Sequence, residues 1–242
     1  MVKKNLSWNT LDRWSTIFKC FIKWVKVQYN VKVPELYGLT IPAKKCVKHI
    51  KKAINKNEID QIIDFFKNRT NYSLDYYISV LLAGKAGMRI GEISGLTWDN
   101  IDFNAKLIKV EYQWKYLKGS EQWGFGDLKS KNSYRTIPIS SNLCDALKDI
   151  KQISKINNMH RLISSQTTRS LTVNLDKVLK RKYNITIHEL RHSYTTLLVQ
   201  NNLDFKTIAY LIGDDVEQVL KTYSHVNSDM MYNAKNIIES IN

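Results

Sequence analysis

The sequence predicts a mainly α-helical protein that carries one small antiparallel β-sheet, a fold of the α+β class. Apolar residues recur at helical spacing through most of the 242 residues, which is typical of amphipathic helices. Strand patterns are confined to residues 107–116 and 134–139. Hydrophobic residues make up 43% of the chain and aromatic residues 11%, so a chain of this length can bury a sizeable core.

Residues 1–48 are predicted to form a small N-terminal piece followed by a linker. An apolar stripe over residues 7–29 predicts one amphipathic helix whose stripe belongs to a core. Residues 30–48 contain two of the three prolines and several lysines, a composition that is typical of an extended linker. The main domain is therefore expected to cover residues 49–242.

The first two helices of the main domain carry their own start and stop signals. Asn55 precedes an apolar, periodic segment and Glu58 follows it by three residues, which predicts a capping box. A second helix is predicted from about Ser73 to Ala86. We expect Gly87 to end this helix, because glycine adopts the left-handed conformation found after many helices.

The predicted sheet is built from two strands and a basic connection. Residues 107–116 alternate apolar and polar side chains, which predicts a half-buried strand. A polar loop follows, and residues 134–139 form the last strand. The connection contains Lys129 and Lys131, and basic hairpins of this kind commonly lie along a nucleic-acid groove. A solvated loop explains these lysines equally well.

From residue 141 onward the pattern is helical. Gly213 is expected to end one helix, and Asp215 is expected to cap the next with Gln218 at the capping-box position. Helices are predicted over residues 141–154, 171–182, 188–201, 204–212, 216–223 and 230–241.

The charge balance predicts a polyanionic partner. The chain has 37 Lys and Arg against 22 Asp and Glu, a formal net charge of +15. An excess of this size favours nucleic acid, whose binding weakens steeply with salt. A basic surface that serves only solubility is the alternative, and composition leaves it open.

Cysteine usage and hydropathy limit the class of protein further. The three cysteines are scattered and fit no metal-ligand spacing or disulfide framework, which predicts a reducing compartment. No apolar run approaches membrane-spanning length, and no signal peptide opens the chain. We therefore expect a cytoplasmic, nucleoid-associated protein with no membrane partner, no metal and no cofactor.

The residues with the clearest chemical potential lie between residues 188 and 226. His188 and Arg191 are three residues apart, so on a helix they share one face. A hydrogen-bond donor beside a permanently charged fork suits a phosphate. Tyr223 follows a helical segment, and a tyrosine delivered to that phosphate is a candidate covalent nucleophile. Taken singly, a structural ring and an accidental His-x-x-Arg pair are the simpler interpretations.

Four separated motifs resemble, in this order, the motifs of the tyrosine recombinase (phage integrase) family. They are AGMRIGEISGLTW, LKSKNSYRTIPIS, HELRHSYTTLL and TYSHV, and the resemblance covers roughly residues 55–228. It implies the tyrosine recombinase catalytic-domain fold of the DNA breaking-rejoining enzymes. It also implies that residues 1–48 are a remnant of the core-binding (SAM-like) domain with its linker. We expect the chain to be an N-terminally shortened integrase or a fragment of a longer one.

The resemblance implies a role for each of five catalytic residues. Arg89 and Arg191 resemble the two arginines that clamp the non-bridging phosphate oxygens. Lys129 resembles the hairpin lysine that protonates the leaving 5′ oxygen, and His188 resembles the histidine that acts as base or donor. Tyr223 resembles the nucleophile, whose 3′-phosphotyrosyl link stores the bond energy, so that rejoining requires neither ATP nor a metal.

The resemblance also implies partners and a reaction. Lys131 and Arg135 are expected to contact double-stranded DNA, and the chain is expected to act as a homo-oligomer, a tetramer on paired sites. The implied function is site-specific recombination for integration or excision of a mobile element. A catalytically weak or inactive DNA-binding remnant is the alternative, and relaxation of the type IB topoisomerase kind is a third. Retention of all five catalytic residues favours the first.

Asp214 departs from the pattern of the family, which usually has histidine, and sometimes tryptophan, after the glycine. A carboxylate about 4 Å from a phosphate charge costs on the order of 4 kcal/mol at an effective dielectric constant near 20. We therefore expect Asp214 to turn away or to brace a neighbouring cation, and we expect cleavage to be reduced but not absent.

Overall fold

The computed structural model describes residues 8–32, 54–69, 72–154 and 159–223. The chain divides into two units, Met1–Ile50 and Lys51–Asn242. In the first unit, helix α1 spans Trp8–Tyr29, as predicted. The stripe is exposed, with Trp14 at 64% and Ile17 at 59%, so the prediction that it belongs to a core is wrong. Most of the predicted linker and the helix predicted over residues 230–241 lie outside the described residues.

The second unit is built mainly from α-helices. Within the described residues the helices predicted from apolar spacing are confirmed, and each predicted end lies within three residues of the observed one. They are α2 (Lys56–Lys67), α3 (Leu74–Ala86), α5 (Ser141–Ile153), α6 (Thr168–Tyr183), α7 (Ile187–Gln200), α8 (Phe205–Ile212) and α9 (Val216–Tyr223). The unit also contains the short helix α4 (Ile90–Gly95). No helix of the described ranges is long and apolar enough to cross a membrane.

Local signals determine where these helices begin and end. The Asn55 side chain accepts a hydrogen bond from the backbone N–H of Glu58 at 2.9 Å, and the Glu58 carboxylate accepts one from the backbone N–H of Asn55 at 2.8 Å. This is the predicted capping box. Gly87 ends α3 with φ 62°, and Gly213 ends α8 with φ 69°. Both lie in the left-handed region, where a side chain would be strained.

The β-structure differs most from the prediction. Strands β1 (Ile101–Asp102), β2 (Leu107–Val110) and β5 (Arg135–Pro138) form an antiparallel sheet in the order β1-β2-β5. Strands β3 (Gln113–Leu117) and β4 (Gln122–Gly126) form a separate antiparallel hairpin. The sheet class is therefore confirmed, but its strands are divided between two sheets.

The prediction of one continuous strand over residues 107–116 is wrong. The chain leaves one sheet after Val110 and enters the other at Gln113. The alternation of apolar side chains continues through this break, so periodicity cannot reveal that the strand changes its partner. Strand β4 was missed because its sequence, QWGFG, contains two glycines in polar surroundings and is typical of a loop.

Two apolar clusters hold the second unit together. The larger one joins the sheet to most of the helices, and the side chains of Ile78, Ile93 and Ile108 are fully buried within it. The smaller one packs α8 and α9 on the C-terminal end of α7, through Val199, Ile208, Ala209, Ile212 and Val219. This packing brings the start of α4, the first turns of α7 and the α8–α9 connection to one place.

Candidate active site

Arg89 is held at the start of α4 by Glu92. Its backbone N–H donates to Glu92 Oε2 at 2.9 Å, and its Nη1 donates to Glu92 Oε1 at 2.8 Å. Glu92 lies three residues after Arg89, in the first turn of α4, so the two side chains meet on one face of the helix. The Arg89 side chain is 23% exposed, whereas that of Glu92 is 3% exposed. The guanidinium therefore reaches the surface from a buried carboxylate anchor.

Arg191 projects from the second turn of α7 and is almost entirely buried. Its Nη1 donates to the backbone oxygen of Gly87 at 2.6 Å, which ties α7 to the end of α3. Burial, followed by the nearby charge of Arg89, lowers the pKa of Arg191 to about 10, although the carboxylates of Glu92 and Asp214 act to raise it. The guanidinium is therefore charged at neutral pH and poorly solvated, a state that favours pairing with an anion.

His188 lies in the first turn of α7, three residues before Arg191. The helix starts where the backbone N–H of Thr186 donates to the Glu189 carboxylate at 2.6 Å, which is the contact that the N3 glutamate makes in a capping box. The expectation that His188 and Arg191 share a helical face is confirmed, because both line the same cleft.

An open cleft brings candidate residues from distant parts of the chain together. Lys129 reaches it from the connection that follows β4, and Thr222 of α9 lines another wall. Tyr223 is the last residue of α9, and its side chain lies outside the described residues. Its role as nucleophile therefore stays a prediction. The cleft has a volume of about 430 Å³, and its lining includes four of the five candidates: Arg89, Lys129, His188 and Arg191.

Arg135 does not face the cleft, and the prediction that it contacts DNA is wrong. Its side chain is 0% exposed and forms a two-pronged ion pair with Glu92, at 2.9 Å from Nη2 and 3.2 Å from Nη1. Its Nε donates to the backbone oxygen of Leu211 at 2.8 Å. The Arg135 guanidinium therefore neutralises Glu92 and, through its hydrogen bond to Leu211, fixes the end of α8 against β5. Lys131 is exposed, and its contact with DNA stays a prediction.

Glu92 connects the arginines and is more central than its sequence position indicated. Burial acts to raise the pKa of Glu92, but the charge of Arg135, followed by those of Arg89 and Arg191, outweighs burial and lowers that pKa. Sequence reasoning missed the pair of Glu92 with Arg135. The only local signal was a glutamate placed three residues after an arginine among apolar neighbours.

Asp214 lies between the two arginines of the cleft. Its Oδ2 accepts from Arg191 Nη2 at 2.7 Å, and its Oδ1 accepts from Arg89 Nη2. Burial acts to raise the pKa of Asp214, but the charges of Arg191 and Arg89 outweigh burial and lower it. The expectation that Asp214 braces a neighbouring cation is confirmed. The next residue, Asp215, accepts a hydrogen bond from the side chain of Asn132. Its capping box with Gln218 stays a prediction.

The described residues offer cationic groups and no metal centre. No group of three or more His, Cys, Asp or Glu side chains in these ranges is arranged to hold a metal ion. The fold and the cleft thus define a helical α+β protein with a site for an anion, built from two arginines, a lysine and a histidine.

The chain belongs to the phage integrase family, because residues 52–230 match the sequence model of that family. It is 28% identical over 189 residues to a XerC-like tyrosine recombinase of Caldanaerobacter subterraneus, covering 67% of this chain and 48% of the relative. It is also 28% identical over 227 residues to the integrase of Staphylococcus phage L54a, covering 81% of this chain and 64% of the relative. The chain therefore spans about half to two thirds of the length of these relatives.

The fold also has solved counterparts. The structure of the Tn1549 transposon integrase in complex with transposon right end DNA has a TM-score of 0.76 at 18% identity, covering 98% of this chain and 81% of that one. At this identity the likeness concerns the fold, and it confirms the predicted tyrosine recombinase catalytic-domain fold.

Proposed function

We propose that this protein is a site-specific DNA recombinase that cleaves and rejoins DNA through a 3′-phosphotyrosyl intermediate, for integration or excision of a mobile element. The observation that carries the proposal is the convergence of Arg89, Lys129, His188 and Arg191 on one cleft. Membership of the phage integrase family supports it, as do relatives named tyrosine recombinase and integrase.

The residues of the cleft suit the breaking of a phosphodiester. Attack on the phosphorus builds negative charge on the non-bridging oxygens, and positioned cations stabilise that charge most in the transition state. Arg89 and Arg191 would supply this stabilisation. The phenol oxygen of Tyr223 would bond to the phosphorus while the bond to the 5′ oxygen breaks, and Lys129 would give the leaving oxygen its proton. His188 would accept the phenol proton or donate to a phosphate oxygen.

Rejoining reverses the same steps. A 5′ hydroxyl attacks the phosphotyrosyl phosphorus, its proton returns to Lys129, and the tyrosine leaves with the help of His188. Since the covalent link conserves the energy of the broken bond, the cycle consumes no nucleotide.

Double-stranded DNA is the partner that we propose. The net charge of +15 favours a polyanion, and the Tn1549 integrase was solved with DNA bound.

We further propose that residues 1–48 are a remnant of a core-binding domain and that residues 49–242 are the catalytic domain. Assembly as a homo-oligomer on paired sites at the nucleoid belongs to the same proposal.

A covalent-trapping experiment tests the proposed reaction. Nicked duplexes that carry candidate recombination sites lose the 5′ end after cleavage, so a phosphotyrosyl adduct accumulates and is visible on a denaturing gel. We expect an adduct with the unchanged chain and none with Tyr223→Phe. Tyr112→Phe is a matched control, because it removes the same hydroxyl from an exposed ring that does not line the cleft.

The second candidate is a DNA-binding remnant that does not cut, and the carboxylate of Asp214 between the two arginines favours it. This candidate predicts DNA that is retarded on a native gel by every variant and never trapped covalently. Such a result would contradict the recombinase.

A further inference from the structure

Asp214 occupies the two arginines in the way that a bound anion would. Its two carboxylate oxygens are divided between them, with Oδ1 on Arg89 and Oδ2 on Arg191. A phosphodiester also presents two non-bridging oxygens, each of which can accept one guanidinium N–H. The carboxylate therefore makes the pair of contacts that a phosphate in this cleft requires.

The four terminal N–H groups of Arg89 are all used while Asp214 is in place. Nη1 donates to Glu92 Oε1 at 2.8 Å and to the backbone oxygen of Ile212 at 3.4 Å. Nη2 donates to the backbone oxygen of Gly213 at 2.7 Å and to Asp214. Each terminal nitrogen of a guanidinium carries two hydrogens, so both nitrogens are saturated. A phosphate can gain an Nη2 hydrogen of Arg89 only from Asp214, because the other acceptors belong to the buried framework.

Asp214 is also the most replaceable acceptor of this set. Its side chain is 33% exposed, compared with 3% for the carboxylate of Glu92. Its backbone is anchored separately, because its N–H donates to the backbone oxygen of Ala209 at 3.0 Å. The side chain can therefore rotate into solvent without disturbing the end of α8.

We propose that Asp214 is an internal ligand of the phosphate site, which holds Arg89 and Arg191 in the DNA-free protein and is displaced when a phosphodiester binds. The identity of the displacing anion rests on the proposed function. The carboxylate preserves the geometry of the arginine pair in the absence of DNA, and it also competes with the phosphate for the same donors. Because of that competition, every anion that enters the cleft binds more weakly than it would without the carboxylate.

Titration of the whole chain with inorganic phosphate tests this proposal. Asp214→Asn keeps the size of the side chain and removes its charge, whereas Asp215→Asn makes the same change one residue later in the same cleft, on a side chain that contacts Asn132. We expect Asp214→Asn to bind phosphate about tenfold more tightly than the unchanged chain or better, since it removes a like charge next to the phosphate. We expect Asp215→Asn to stay within about twofold, as a more distant and solvated charge.

The outcomes distinguish an Asp214 that phosphate displaces from an Asp214 that only holds the two arginines in place. Equal or weaker phosphate binding by Asp214→Asn would show that the carboxylate only orders the arginines, and equal gains in both variants would show a non-specific charge effect. Either result overturns the proposal. If Asp214→Asn is unstable, phosphate must restore its melting temperature, because it replaces the missing anion, and failure to do so also overturns the proposal. The titration needs no strand cleavage, so it decides the role of Asp214 even if the covalent-trapping experiment fails.

Discussion

Glu92 and Asp214 are both carboxylates that join two arginines, and they do so in opposite surroundings. Glu92 joins Arg89 to Arg135 beneath the cleft, and its side chain is 3% exposed. Asp214 joins Arg89 to Arg191 at the mouth of the cleft, and its side chain is 33% exposed. Arg89 is common to both pairs.

The difference in exposure indicates different roles: the buried Glu92 stabilises the fold, whereas the partly exposed Asp214 belongs to the anion site. Once the buried pair of Glu92 and Arg135 is formed, the loss of one partner leaves a charge that neither water nor protein compensates. Asp214 is only partly buried, so water compensates part of the charge that is left when its ion pairs are broken. Glu92 is therefore expected to matter chiefly for stability, and Asp214 chiefly for anion binding.

The largest expected effect comes from the substitution Glu92→Gln. It leaves the buried guanidinium of Arg135 without a counter-charge, and we expect it to lower the free energy of unfolding by about 3–5 kcal/mol. Urea denaturation measures this quantity. Asp214→Asn is the contrast, and we expect it to lower the free energy of unfolding by less than Glu92→Gln does, because the Asp214 carboxylate is partly solvated. Equal losses in the two variants would remove the distinction between the two carboxylates.

The acid dependence of stability sharpens the same comparison. The pKa of Glu92 is lower in the folded chain than its ordinary value of 4.5, so its stabilising effect is complete above that value and is lost as the pH falls through the lowered pKa. We expect the free energy of unfolding to decrease below about pH 4.5 in the unchanged chain and to decrease less in Glu92→Gln. Urea denaturation at several pH values measures both slopes. An identical acid slope in Glu92→Gln would contradict the assignment.

A smaller effect on stability is expected from Gly213→Ala. Gly213 directly precedes Asp214 and lies against Arg135, the buried partner of Glu92. Gly213 has φ +69°, and a Cβ there would lie 2.7 Å from Arg135 Nη1. We expect the strained conformation to cost about 1–2 kcal/mol in the free energy of unfolding. Gly119→Ala is the matched control, because a Cβ at that position meets nothing within 4 Å. A loss in the control as large as that in Gly213→Ala would exclude backbone strain as the cause.

Sequence reasoning identified most of the site and misplaced one part of it. The motifs predicted that Arg89, Lys129, His188 and Arg191 meet, and the cleft contains all four. Arg135 was expected to contact DNA because the resemblance implied it, yet its side chain is buried on Glu92. A motif records residue types and their order, and it does not record which side of a strand faces the core.

The sequence by itself determined the helices, their caps and the family, because helical periodicity, glycine conformations and motif order are local properties of the chain. Only the tertiary structure decided that Arg135 turns inward and that Asp214 joins the arginines of the cleft. The partners in these contacts lie 43 residues apart for Arg135 and Glu92, and 125 residues apart for Asp214 and Arg89. Ion pairs at such separations depend on how helices and strands pack, and packing also determines whether a carboxylate is sealed from water or left open to exchange.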